Sequence, residues 1–240
     1  MDDINFSIVI PVYNEERRLP KNIDKICQFF LTTHQKVEII FVNDGSTDQT
    51  LAILSAYNNK YNFKIISYQK NQGKGYAVRQ GALASKGDWV VFFDVDLATP
   101  LEEFNLLVET LAPGDQIVIG SRRLPASQIN VRESKTRTLL GHCFTKLSNL
   151  LVPSVVDFTC GFKCFSRTAV AIIFPRARIN RWGFDAELLY VGTLHYLPIK
   201  QIPVSWAHDA DSKVKVFQAI FSSLWELFNM KLNQLRGLYK

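Results

Sequence analysis

Short β-rich apolar runs alternate with stretches whose apolar residues recur every three or four positions through the first half of the chain, the pattern of strands and helices in turn. The runs predict strands at Phe6–Val12, Val37–Asn43, Lys64–Tyr68, Trp89–Phe93 and Gln116–Gly120. Between the first two, Leu19, Ile23, Ile26 and Phe30 recur at helical spacing, with Pro20 tolerable in a first turn. Asp44-Gly45-Ser46-Thr47-Asp48 reads as a turn followed by capping residues, and Leu51, Leu54 and Tyr57 form the next stripe. A helix is predicted over Tyr76–Ser85. Thr99-Pro100-Leu101-Glu102 has the form of a capping box, so another should run from there to about Leu111. This alternation argues for an α/β domain, a mostly parallel twisted sheet flanked by helices.

The second half is less regular. Helices are expected at Arg137–Leu151, Asp185–Leu194 and Lys215–Leu235, and strands at Phe162–Phe165 and Ile199–Trp206. Repeats and low-complexity tracts do not occur. The chain reads as a catalytic domain over 1–214 and a terminal amphipathic helix over 215–240. The helix is rich in Phe, Leu and Trp and has lysine and arginine gathered at its end. That composition suits either a helix lying in a membrane interface or one packed on the domain.

Composition narrows the class. A chain of 240 residues with 47% hydrophobic and 21% charged residues has enough apolar material for a packed core. The acidic start MDDINF and the stop of the following apolar run at Pro11 argue against a signal peptide. No apolar stretch approaches the roughly 18–20 residues of a membrane span. Cys27, Cys143, Cys160 and Cys164 are then expected as reduced thiols in a cytoplasmic setting, the last two as packing residues. The net charge of +6 is uneven, because Arg122, Arg123, Arg132, Lys135 and Arg137 face only Glu133 across residues 121–140. Such a patch suits phosphate or an anionic membrane surface. Nucleic acid is not expected, since there is neither an RNA-binding aromatic signature nor a helix-turn-helix cue.

The candidate chemistry lies where strands end. Asp94 and Asp96 follow the run WVVFF, and residues i and i+2 of a strand point to one side with Cα atoms about 7 Å apart. Both carboxylates can face one divalent cation, or the pair can be a solvated strand end. Tyr13-Asn14-Glu15 and Asp44 follow the first two strands, and ligands of open α/β sheets bind beyond the carboxyl ends of strands. Acids gathered at one edge repel one another unless a cation or hydrogen-bond donors intervene. Asn71-Gln72-Gly73-Lys74-Gly75 can carry an anion at a helix N-terminus, or it can be a plain surface loop.

PVYNEE, VNDGSTDQT, NQGKGYAVRQGA, DVDLATP, GSRR and DFTCGFKCF occur in this order over residues 6–206. Together they resemble the family-2 glycosyltransferases, in particular the branch that makes polyprenyl-phosphate sugars. The resemblance implies the GT-A fold, a nucleotide-diphospho-sugar donor, Mg²⁺ or Mn²⁺, and inversion at the sugar carbon. It puts Pro11, Tyr13, Glu15 and Asp44 on the nucleotide-sugar side, where Lys74 of the glycine loop would add charge, and Asp94 and Asp96 on the metal and diphosphate. Arg122 and Arg137 fall on the acceptor phosphate, with Asp157 beside them as a candidate catalytic residue. Asp157 is open to three roles: base, orienting group, or turn residue paired with an arginine. Arg181-Trp182-Gly183-Phe184-Asp185-x-Glu187 falls near the sugar and acceptor or is simply a helix start. His208 reads as a loop residue. Asp211 stands where relatives show glycine, and Thr159 where they often show Gln or Ser.

The function expected is transfer of a hexose, with glucose from UDP-glucose favoured, to a polyprenyl phosphate at the cytoplasmic face of a membrane. A family-2 transferase acting on a soluble or cell-wall glycan is the alternative enzyme. A non-catalytic nucleotide-sugar-binding protein is the alternative from another class.

Overall fold

The computed structural model describes the backbone of residues 4–131, 135–207 and 216–240, and their side chains except 131, 135–140 and 216–224. In the first half, β1 (Phe6–Val12), α1 (Leu19–Thr32), β2 (Val37–Asn43), α2 (Thr50–Tyr61), β3 (Lys64–Ser67), α3 (Lys74–Leu83) and β4 (Trp89–Phe92) alternate without a break. There follow α4 (Glu103–Thr110), β5 (Ile117–Ser121), β6 (Gln128–Val131), α5 (Lys135–Ser148), β7 (Lys163–Ser166) and α6 (Arg167–Ile173). The chain ends with α7 (Phe184–Leu194), β8 (Ile199–Pro203), β9 (Ser205–Ala207) and α8 (Val216–Leu235).

Seven strands form one sheet in the order β3-β2-β1-β4-β7-β5-β8, and β6 pairs with β9 in a second, small sheet. Within the large sheet β7 alone runs antiparallel, to both β4 and β5. Successive strand residues go to opposite faces. Val9, Val90, Phe92, Ile117 and Ile119 join the core under α3, α6 and α7, while Ile8, Ile10, Val91, Phe93 and Val118 join the core under α1 and α4. The sheet is therefore buried on both sides, as a mostly parallel sheet requires. Pro11 sits in central β1 without cost to the ladder, because β1 and β4 part company after Val9↔Phe92.

Helix α1 buries Leu19, Ile23, Ile26 and Phe30, the residues its spacing singled out. Three expectations change. Leu51, assigned to a buried stripe of α2, is 39% exposed, and the helix packs through Thr50 and Leu54. Helix α4 starts at Glu103 after a turn rather than at the Thr99 box, and Thr99 is buried instead of capping. The single strand expected over Ile199–Trp206 divides at Val204 into β8 and β9, which serve different sheets. Strand β6 and helix α6 were not foreseen; the second is capped by Ser166, whose hydroxyl accepts from the Ala169 amide at 3.0 Å. Cys27, Cys160 and Cys164 are buried free thiols, and Cys143 is exposed and free.

Candidate active site

Strand direction decides which segments meet. The order β2-β1-β4 reverses between β1 and β4, and the crevice at such a switch point opens above the carboxyl ends of the two strands. Asp94 follows β4 at that edge. Because β7 is antiparallel, with Lys163 opposite both Phe92 and Ile119, it is the start of β7 that arrives there. Residues 157–161 therefore come to the same edge as Asp94 and as Arg122, which follows β5.

Asp44 is 3% exposed and fully engaged. Its carboxylate accepts from Asn71 Nδ2 at 2.7 Å, the Gln72 amide at 2.8 Å and the Gly73 amide at 2.9 Å. The turn fits beneath the 70–73 loop only because Gly45 has φ +64° and no Cβ; one would lie 2.5 Å from the Asn71 nitrogen. Asn14, with φ 53°, accepts from the Thr47 amide at 2.8 Å and so stitches the loop after β1 to the loop after β2. Glu15 is anchored by its amide to the Thr50 hydroxyl at 2.7 Å and pairs with Arg18 at 3.3 Å, and Tyr13 stands 43% exposed at the rim.

Helix α3 begins at Lys74, whose ammonium meets Asp94 at 2.6 Å. Burial by itself would lower the Lys74 pKa; Asp94 and, behind it, Asp185 and Asp96 overcome this and hold it above the ordinary lysine value. Asp96 accepts from the Ala98 amide at 3.0 Å. Its pKa is raised, first by burial and then by the neighbouring charge of Asp94. On the Asp96 side burial and like charge thus outweigh the pull of Lys74 and Arg18, a condition that a cation relieves. Among the described residues no three His, Cys, Asp or Glu side chains converge as a closed metal cage. Two hard carboxylate donors with open positions suit Mg²⁺ or Mn²⁺ completed by phosphate oxygens and water. The residues therefore fit the cation the resemblance implies.

Two features beneath this floor escaped the sequence reading. Gly161 lies so flat against Asp94 that a Cβ there would sit 2.6 Å from the carboxyl carbon. Lys163, in β7, is completely buried and donates to Asp185 Oδ1 at 2.5 Å and to the Cys160 carbonyl at 2.6 Å. The pair underlies the 160–161 turn that presses on Asp94. Asp185 is pushed up by burial and drawn back by Lys163 and Lys74. A lysine inside the apolar run GFKCF was the available signal, since a buried ammonium demands an acid.

Beside this floor Asp157 is wholly buried. Arg122 donates Nε to its Oδ2 at 2.7 Å, Nη2 to its Oδ1 at 2.9 Å and its own amide to Oδ2 at 3.0 Å. Burial opposes ionisation of Asp157, but the Arg122 charge and these bonds prevail and hold its pKa well below the usual carboxylate range. Arg122 also donates to the Thr159 hydroxyl at 2.7 Å and lies 5.2 Å from the Trp206 ring centre. Arg123 reaches the Thr145 hydroxyl at 2.6 Å and the Val156 carbonyl at 3.1 Å, tying α5 to this corner. Arg137 lies in α5 with its side chain outside the described residues, and His208 and Asp211 are also outside them.

Glu187 of the RWGFDAE segment has a supporting role. Fully buried, it accepts from the Ile179 amide at 2.8 Å, from the Arg178 amide and from the Tyr239 hydroxyl at 2.5 Å, and burial raises its pKa. It ties the 178–179 turn to the end of the chain.

The profile of Glycosyl transferase family 2 matches residues 7–174. The chain is 32% identical to the dolichyl-phosphate β-glucosyltransferase of Dictyostelium discoideum over 100% of its own length and 78% of the relative's. It is 34% identical to the human enzyme of that name, covering 98% of this chain and 77% of the other. Among solved structures, glucosyl-3-phosphoglycerate synthase from Mycobacterium tuberculosis in complex with Mn²⁺, UDP and glucosyl-3-phosphoglycerate superposes with a TM-score of 0.69. That likeness covers 95% of this chain and 80% of the other at 20% identity, and bears on the fold alone. With the profile and relatives matched over nearly the whole of this chain in agreement, the chain belongs to glycosyl transferase family 2.

Proposed function

We propose that the chain transfers glucose from UDP-glucose to a polyprenyl phosphate of the dolichyl or undecaprenyl type, with inversion at the anomeric carbon. The names of its full-length relatives support the sugar and the acceptor class. The observation that carries the reading is the Arg122–Asp157 pair. Asp157, the carboxylate of the acceptor corner, is buried, bidentately bound and weakly basic, and so is ill suited to take a proton from a sugar hydroxyl. A phosphate monoester, with its second pKa near 6, is already ionised at neutral pH and needs positioning by cations instead.

In this reading Asp157 fixes the guanidinium plane of Arg122, and Arg122 with Arg137 directs the acceptor phosphate toward the sugar. A phosphate oxygen of the acceptor forms the new bond to the anomeric carbon while the bond to the UDP β-phosphate oxygen breaks. The electron pair departs on UDP, and no proton need move. Asp94 and Asp96 would hold Mg²⁺ or Mn²⁺, which would supply Lewis-acid stabilisation of the leaving diphosphate. Lys74, at the start of α3, adds positive charge on the donor side, and Pro11, Tyr13, Glu15 and Asp44 shape the nucleoside pocket. The acceptor's lipid tail requires peripheral contact with a membrane, at its cytoplasmic face, and among the described residues no helix is long and apolar enough to cross one.

A panel of nucleotide sugars tests this, each incubated with a short-chain polyprenyl phosphate with and without EDTA. UDP-glucose should give the glucosylated lipid phosphate and free UDP, and EDTA should stop both until Mg²⁺ or Mn²⁺ is restored. Transfer to a neutral glycan but not to the lipid phosphate would overturn the proposal.

A further inference from the structure

Helix α8 has two unlike faces over its described side chains. Leu227 and Met230 are buried in the core under the sheet, and Gln234 accepts from the Tyr190 hydroxyl at 2.5 Å. The chain then turns back and buries Tyr239, whose hydroxyl reaches Glu187. At 100° per residue, Trp225, Phe228, Leu232 and Leu235 fall together on the opposite side. Of these, Trp225 is 64%, Phe228 59% and Leu235 77% exposed. The two aromatic rings stack with centroids 5.6 Å apart, a rigid apolar ledge open to solvent.

One hydrogen bond joins the ledge to the 180–184 loop. Glu226 accepts from the Gly183 amide at 2.7 Å, so Trp225 and the 39% exposed Trp182 each precede a partner in the same bond. The 180–184 loop leans on the turn that opens α3: the Tyr76 amide donates to the Asn180 carbonyl at 3.2 Å, and Lys74 lies 6.0 Å from the Phe184 ring centre. The ledge therefore adjoins the Lys74–Asp94 end of the molecule. Among the described residues its exposed ionisable neighbours are basic, Arg181 on the loop and Lys231 and Arg236 on the helix and just past its end. Glu226, an acid of this region, is half-buried against Gly183, and burial raises its pKa.

Tryptophan and phenylalanine flanked by arginine and lysine are the side chains that settle at the headgroup level of an anionic bilayer, the rings at the acyl boundary and the cations at the phosphates. We infer that Trp225, Phe228 and Leu235, with Trp182 beside them and Arg181, Lys231 and Arg236 around them, form a docking surface for an anionic membrane. The inference rests on the proposed lipid acceptor for its purpose, because it would hold the Asp94 edge near the bilayer. Its physical basis is independent of the acceptor.

The test uses the full chain and vesicles without any polyprenyl phosphate, so that it reads docking separately from catalysis. Vesicles of neutral lipid with about one-third anionic lipid should float the wild-type protein, and raising salt from roughly 0.1 to 0.5 M should weaken this, since the Debye length shrinks. The Trp225→Gln/Phe228→Gln variant should bind about tenfold or more weakly. Its turnover of a short-chain, detergent-dispersed polyprenyl phosphate should stay within about twofold of wild type, which also shows that it folds. Unchanged flotation of the variant would overturn the inference. So would a wild-type dimer in solution that the variant converts to monomer, which would make the ledge a contact between two copies. Failure of the wild type to use the lipid phosphate while still floating would sink the proposed reaction and leave the docking surface standing.

Discussion

Asp96 and Asp157 are the same residue type at the same sheet edge, yet their surroundings push them in opposite directions. Asp96 is partly exposed, shares its site with Asp94, and has its pKa raised by burial and by that neighbour's charge. Asp157 is sealed in, and the Arg122 fork holds its pKa far down despite burial. At one carboxylate, burial and a like charge outweigh the pull of Lys74 and Arg18; the other is saturated with counter-charge. A site that must gather a cation and its diphosphate benefits from the first condition. A site that must present an arginine in a fixed plane benefits from the second.

Variants that neutralise each side should separate the two roles. Asp94→Asn or Asp96→Asn should lower kcat/KM for UDP-glucose by about 10³-fold or more while the protein stays folded, because the loss falls on stabilisation of the leaving group. UDP release assays with a titration of Mn²⁺ check this, and near-normal turnover in either variant would erase the comparison. Lys163→Met strands the buried Asp185 carboxylate and should cost about 3–5 kcal/mol in denaturant unfolding, with much of that recovered when Asp185→Leu is added. Gly161→Ala should displace the Asp94 carboxylate with little effect on the melting temperature. The obstructed group is the end of a side chain, but a shift on the order of 1 Å at the site should cost about 10²-fold in transfer.

The smallest effect concerns acid. With its folded pKa below the unfolded value near 3.9, Asp157 contributes stability that is complete above about pH 4 and is lost as pH falls further toward the folded pKa. Melting curves of Asp157→Asn should accordingly lie below wild type at neutral pH and converge on it below about pH 4. A constant offset down to pH 2 would contradict the pairing.

Much of this arrangement was legible in the sequence where local pattern and tertiary demand coincide. The first five strands were found within a residue or so because each is a short apolar run closed by a polar turn, and α1 because its stripe faces one core. The Asp94/Asp96 edge followed from strand ends alone. Local pattern failed where partners are distant. Nothing near Val204 says that the strand leaves one sheet for another, and β6 exists only to pair with β9. The Thr99 box looked like a helix start, yet Thr99 is buried and the helix waits for Glu103. The partner of Asp157 was hidden as well, because the antiparallel β7 brings it against Arg122, 35 positions away in the chain. Gly161 was invisible for the same reason, as its meaning is a contact with Asp94.

The division of labour between the two carboxylate sites is tested most directly by steady-state kinetics of Asp157→Asn at saturating UDP-glucose, with the short-chain polyprenyl phosphate varied. An orienting role for Asp157 predicts that the acceptor KM rises at least about tenfold while kcat falls by less than that, with no change in the shape of the pH profile between pH 6 and 8. A fall in kcat on the order of 10³-fold at unchanged acceptor KM, with the acidic limb of the pH profile gone, would make Asp157 the base and contradict the account.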